Sequence, residues 1–409
     1  MSMSADLILY NANAITLDPL KPGAELIAVK EGKILGVGRN DEMEVLRGTR
    51  TKIIDCEGKT VIPGFNDAHC HLFAFVSSLL NVDCTPSATG SIAEIKVAVL
   101  RRAREIPAGP WITGAGYDEF SLAERRHPTR WDMDEVAPHH PVRLIHRSGH
   151  ACVLNSLALS LAGISGETPE PPGGLIDRDL DSGEPNGLLF EMNDCLEKVV
   201  SPLSKEELRR GIRLAVHRCL SLGITSLQDA TASNDFNQWQ RFQQLKERGE
   251  LASRVSMMVG IDALGDCMEK GLLPRSGDSQ LHLGSVKIMV TEATGELYPS
   301  QEELNQQALQ AHQAGFQVAI HAIEESTVEA AITALEYALH KIPRACHRHR
   351  VEHCSVCPPP LMQRLKEIQA VVVTQPPFLY YSGERYLAEV PESQLRWLYR
   401  FRSFQENGL

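Results

Sequence analysis

From about residue 205 onward the chain repeats one unit: a helix-period segment, a short loop, then a run of β-branched and apolar residues. EELRRGIRLAVHRCLSLG leads into ITSLQDA, FNQWQRFQQLKERGELASR into VSMMVGI and QEELNQQALQAHQAG into FQVAIHA. STVEAAITALEYALHK leads into RHRVEHC, PPLMQRLKEIQ into AVVVTQP, and SVKIMV follows a Gly-rich loop. Strands apolar over most of their length are buried on both faces, and their alternation with helices is the pattern of a parallel sheet. With VIPGFNDAHCH as the first, strands are expected at 61–66, 224–229, 255–261, 285–290, 316–321, 349–353 and 370–375. The fold class that follows is α/β, a (β/α)8 TIM barrel lacking its eighth strand. The chain stops at FRSFQENGL, a helix with a Gly C-cap, where that strand should begin.

The first sixty residues read differently. ADLILYNANAITL, ELIAVKEGKILGVG and TKIIDCEGKTVIPG alternate apolar and polar residues between Gly and Asn, as half-buried antiparallel strands do. They are expected to form a small β-domain over 1–60, a partial sandwich, beside a barrel domain over 61–409. The stretch at about 85–200 breaks the alternation and reads as an insertion after the first strand, with PPGGLIDRDLDSGEPNG a hairpin in it.

Composition narrows the partners. A formal net charge of −11 disfavours nucleic acid and anionic membrane. No basic segment precedes an apolar one at the N-terminus, and no run reaches the roughly 20 apolar residues that span a bilayer. Ten cysteines, scattered and without a disulfide framework, read as reduced thiols of a cytoplasmic protein. A small-molecule substrate is the partner expected.

His69 and His71 end the first apolar run one residue apart, so on a strand both imidazoles reach the same side. His321 closes the fifth strand and His353 the sixth, and active sites of this architecture collect at the C-terminal ends of the strands. Lys287 lies inside the apolar fourth strand, where an unpaired ammonium is costly. Reaction with carbon dioxide would turn it into an anionic carbamate, an oxygen ligand able to bridge two ions. Imidazole donors suit one or two divalent ions, zinc by default.

VIPGFNDAHCH, LGITSLQD, GSVKIM, HQAGFQVAIHAI and HRVEHCSV resemble the amidohydrolase superfamily, in its branch of N-substituted formamide deformylase-like proteins (amidohydrolase family 3). HRSGHACVLNSLALSLAGI and GGLIDRDLDSGEPNGLLFE resemble the insertion of that branch. The resemblance implies that His69 and His71 bind one metal, that a carboxylated Lys287 bridges, and that His321 and His353 bind the second. It implies substrate contacts from His150 and Tyr117, and hydrolysis of amide, formamide or related C–N bonds by a metal-activated water. The chain departs from the family at KIMVTEATGE and at Glu324 and Glu325. It also has no match for the family's eighth-strand aspartate, so no catalytic residue is assigned and a slow or non-catalytic relative is the alternative.

Two further expectations follow. A seven-strand barrel leaves open edges, so a homo-oligomer through those edges, poor solubility or a fragment is expected. A rival structural zinc site in the segment from Cys346 to Cys357 would use Cys354 and Cys357 with His347 and His349 nearby, though a lone Cys-x-x-Cys reads more simply as reduced thiols. A dinucleotide-binding oxidoreductase is set aside, since no Gly-x-Gly-x-x-Gly follows a strand.

Overall fold

The structure is a computed structural model that describes residues 4–171, 174–192, 196, 199–200, 204–293 and 296–409. Cys195, and Thr294 and Gly295 of the KIMVTEATGE segment, lie outside the described residues. Contacts divide the chain into two compact units, 1–67 with 222–227, and 68–221 with 228–409.

The first unit carries two small sheets. Leu7–Tyr10 pairs antiparallel with Leu26–Lys30 and parallel with Lys52–Asp55, while Asn13–Ile15 joins Gly23–Ala24 and Thr60–Val61 in the other. Alternation places Ile8, Leu26 and Ala28 on the buried side, where Met43 and Leu46 pack on them.

The central sheet is a nearly closed barrel of seven parallel strands in sequential order. They are β1 (Phe65–Cys70), β2 (Ile224–Asp229), β3 (Arg254–Gly260), β4 (Leu281–Met289), β5 (Val318–Ala322), β6 (Arg350–His353) and β7 (Val371–Val373). Most strands fall where the β-branched runs place them. The first begins four residues later than expected, because Thr60–Val61 is taken up by Asn13–Ile15 and Pro63 has no N–H to extend a ladder.

The crossover helices present one apolar face each. Phe236–Glu247 buries Trp239, Phe242 and Leu245 at helical spacing. Gln301–Gln313 starts at a capping box in which Ser300 and Glu303 satisfy each other's backbone N–H groups. Pro359 begins Pro359–Glu367 at the position where a missing N–H costs nothing.

The described residues of the segment after β1 form more regular structure than its Pro- and Gly-rich sequence suggests, Pro172 and Gly173 of the expected hairpin lying outside them. They form a mixed six-stranded sheet of Val82–Asp83, Ile112–Tyr117, Val142–His146, Ala151–Leu154, Leu175–Arg178 and Pro185–Phe190, of which the last two are the expected hairpin. Its own core packs Ile92, Ile95 and Val99 of one helix on Ile112, Val142 and Leu144.

Candidate metal centre

The expected ligands converge at the C-terminal ends of the barrel strands. His69 lies in β1 and His71 follows it as the N-cap of Leu72–Leu80. Ring centroids are 5.2 Å apart for His69 and His71, 4.6 Å for His69 and His353, and 4.6 Å for His321 and His353. The four imidazoles thus form one continuous group drawn from three strands. Lys287, 1% exposed, rises from β4, where Met289 pairs with His321. Its Nζ is buried without a hydrogen-bond partner.

Three of the rings are gripped from behind at Nδ1. His69 Nδ1 lies 2.5 Å from Glu352 Oε2, His71 Nδ1 3.1 Å from Thr231 Oγ1, and His353 Nδ1 2.8 Å from Gln375 Oε1. A carboxylate or amide oxygen on Nδ1 sets the proton there and leaves the Nε2 lone pair for a ligand, the arrangement that orients metal-binding histidines. Glu352 is itself fixed by Arg350, whose Nε and NH2 donate to its two oxygens at 2.6 and 2.9 Å. Arg350 also donates to the Ala68 carbonyl at 2.9 Å and to Gln228.

Burial dominates the electrostatics. It pushes His321 down to about 3, helped by the neighbouring His353 and Lys287, and His353 down to about 4, helped by His69. Both rings are neutral at neutral pH, as ligands must be. Burial also lowers Lys287 to about 8 against the pull of Glu352. Desolvation would raise Glu352, yet the His69 and Arg350 contacts hold it at about 2. The chain leaves β6 through two left-handed residues, His353 at φ 64° and Cys354 at φ 48°, a conformation that costs non-glycine residues about 1 kcal/mol each. The Cys354 N–H, donated to the Ala322 and Glu352 carbonyls, holds that turn.

Beside His71 opens a cleft of about 230 Å³ lined by Phe73, Ala74, Thr231, Ser233, Asn234 and Gln238, without a charged side chain. His150 is exposed in the insertion, with Nδ1 2.8 Å from Glu191 Oε1. Tyr117 is wholly buried, its hydroxyl 3.1 Å from His127 Nδ1. Glu352, Arg350, Gln375 and Thr231 escaped the sequence reading. The one available signal was an arginine and a glutamate at i and i+2 of a buried strand ending in a histidine.

The rival cysteine site does not form. His349 Nδ1 accepts from the Val318 N–H, and its Nε2 faces His312 Nδ1 at 2.9 Å. His347 Nδ1 accepts from the His349 N–H while its Nε2 meets the Ile368 carbonyl. The nitrogens of both rings are committed, and the free thiols of Cys354 and Cys357 are hydrogen-bonded to each other. A Cys354→Ser/Cys357→Ser variant is therefore expected to keep its full metal content by elemental analysis. Loss of metal would reinstate the cysteine site.

A model of the amidohydrolase family matches residues 52–409. The chain belongs to the amidohydrolase family. Among curated relatives, this amidohydrolase is 29% identical to the N-substituted formamide deformylase of Arthrobacter pascens, covering 94% of this chain and 75% of that protein. It is 29% identical to protein LONG AFTER FAR-RED 3 of Arabidopsis thaliana, over 92% of this chain and 68% of that one. Among solved structures, a metal-dependent hydrolase from Pyrococcus horikoshii superposes with TM-score 0.78 at 24% identity, over 98% of this chain and 80% of that one, a likeness of fold. No helix among the described residues is long and apolar enough to cross a membrane.

Proposed function

We propose that this amidohydrolase cleaves a carbon–nitrogen bond of the amide or formamide class at a centre of one or two divalent ions, zinc by its donor set. His69 and His71 would hold one ion, His321 and His353 the second, with Lys287 between them as its carbamate. The observation that carries this is the convergence of four histidines at one barrel mouth, three with Nδ1 held from behind. A resident ion would supply an acidified water near neutral pH and would polarise the carbonyl oxygen. The protein's own part is orientation. Glu352 and Gln375 fix the planes of His69 and His353, and burial keeps His321 and His353 unprotonated. The orphaned Lys287 Nζ is the nucleophile that carbon dioxide would need, and a carbamate there would relieve its burial. The uncharged cleft beside His71 suits the side group of a neutral substrate. The similarity to the formamide deformylase supports the substrate class.

A second reading, binding without turnover, is favoured by one feature. Glu352, the carboxylate that touches His69, is wholly buried and engaged by Arg350 on both oxygens, which ties it to orienting the ring rather than to moving a proton.

Metal content and hydrolysis of N-substituted formamides separate the readings. The expected result is about one to two ions per chain, turnover of a formamide, and loss of both in His69→Ala. Full metal without turnover of any amide or formamide would favour the second reading. Metal indifferent to His69 would sink both.

A further inference from the structure

The insertion holds a second group of ionisable side chains that the barrel chemistry does not use. Ile112–Tyr117 and Val142–His146 are adjacent parallel strands, in register from Ile112 with Val142 to Tyr117 with His146. Their ends set Asp118 and Glu119 beside His146. The turn after His146 folds Ser148 back onto it, with Oγ 2.7 Å from His146 Nδ1. The Ser148 N–H donates to the same nitrogen at 3.2 Å. Nδ1 is therefore an acceptor, and the neutral ring carries its proton on Nε2. That nitrogen lies 2.8 Å from Glu119 Oε2. Hydroxyl, imidazole and carboxylate follow one another at 2.7 and 2.8 Å, the order of a nucleophile, its base and the group that positions the base.

We propose that Ser148, His146 and Glu119 form a serine–histidine–carboxylate centre that cleaves small aryl or acyl esters through an acyl-serine. Ser148 Oγ attacks the ester carbonyl carbon as its proton passes to His146 Nδ1. The bond from that carbon to the alcohol oxygen breaks, and the oxygen takes the proton from His146. A water activated by His146 then releases the acid and restores the Ser148 hydroxyl. Ser148 and His146 are the catalytic residues. Glu119 is a positioning residue that holds the ring and its proton.

A cation is the competing reading of this cluster, since donor atoms of Asp118, Glu119 and His146 lie within 4.8 Å of one another. Two observations favour the triad. The proton that Ser148 imposes on Nε2 occupies the lone pair an ion would need. Arg147 NH1 also sits 2.7 Å from Asp118 Oδ2, which already accepts from Ser121. In this structure the His146 Nε2–H is turned off the line to Oε2, and such bonds commonly align only with substrate bound. The surroundings suit an aryl or short acyl group, and an ester is the acyl compound whose leaving group asks least of an isolated triad. Arg147 NH2 donates to the Tyr381 carbonyl at 3.2 Å, which sets the Ser148 turn beside Pro377–Glu389. That helix exposes Tyr380 and Tyr381 by 85% and 72%, an aromatic surface for an aryl or short acyl group.

The test is covalent labelling of the full chain with a fluorophosphonate, which loses fluoride as Oγ bonds to phosphorus, followed by peptide mass spectrometry. The expected adduct lies on Ser148, forms equally fast in chelator-treated protein, and is absent from Ser148→Ala. His146→Gln should slow labelling by about 100-fold. Glu119→Gln should slow it less but shift the midpoint of its pH profile downward, because the Glu119 charge that raises His146 is gone. No adduct on Ser148 in a chain that still melts cooperatively would overturn the proposal, as would an adduct indifferent to His146→Gln. Stoichiometric zinc on Ser148→Ala, lost in Glu119→Gln but not in His69→Ala, would also overturn it and assign the cluster to a cation. None of these outcomes depends on whether the barrel hydrolyses amides.

Discussion

Lys287→Met is expected to make the metal-free protein more stable and the metal-loaded protein inactive. The lysine is 1% exposed, its Nζ has no hydrogen-bond partner, and burial holds it at about 8, below its ordinary 10.5. A lysine whose folded value is depressed binds fewer protons folded than unfolded between those two values. Its penalty is therefore full below about pH 8 and fades as the pH rises toward 10.5. Methionine fills similar volume without charge. It should gain on the order of 2 kcal/mol at pH 7, read as a rise of a few degrees in the chelated protein's melting temperature.

The gap between variant and wild type should narrow when both are melted at pH 10. In activity the sign reverses, since no carbamate can form on methionine. A loss of at least about 10³-fold in kcat/KM for a formamide is expected, equivalent to ~4 kcal/mol of transition-state stabilisation. If Lys287→Met melts lower than wild type at pH 7, the attraction to Glu352 outweighs desolvation and the strained-lysine argument fails.

The barrel was legible because its strands are buried on both faces and its helices on one, so the two periods alternate without overlap. FQVAIHA and RHRVEHC also place His321 and His353 near strand ends, which in this architecture fixes which end of the barrel they face. The six-stranded sheet of the insertion was not legible. Its strands are separated by loops rich in Pro and Gly, and Ala151–Leu154 has the same apolar character as a buried helical turn. The partners behind the histidines escaped for another reason. Glu352 reaches His69 across 283 residues of sequence, and nothing local in HRVEHC reveals that its glutamate faces the first strand. Gln375 likewise follows the seventh strand but serves the sixth. Such contacts are set by barrel closure, not by periodicity.

Arg350→Met is expected to be among the most destabilising substitutions in the chain, and more so than the double change with Glu352→Gln. Glu352 is fully buried and both of its oxygens take Arg350 donors. Removing the guanidinium strands a carboxylate beside His69, at a cost of about 3–5 kcal/mol. Glu352→Gln alone keeps an acceptor for His69 Nδ1 but leaves the Arg350 charge buried on the Gln228 amide and the Ala68 carbonyl. Making both changes removes both charges, so urea unfolding of the four chelated proteins should show a coupling of about 2 kcal/mol or more. Zinc affinity should follow a different order. It should fall about 10–100-fold in Arg350→Met, where His69 loses its oriented partner, and less in Glu352→Gln. Acid separates the two causes. The carboxylate sits at about 2 in the folded chain against an ordinary 4.5, so its contribution is present above pH 4.5 and drains away as pH falls toward 2. Arg350→Met should show a shallower acid slope, because only His69 and Lys287 then oppose the burial that raises the carboxylate. An unchanged slope would mean that His69 alone fixes Glu352, and that Arg350 fills space instead of orienting the metal ligand.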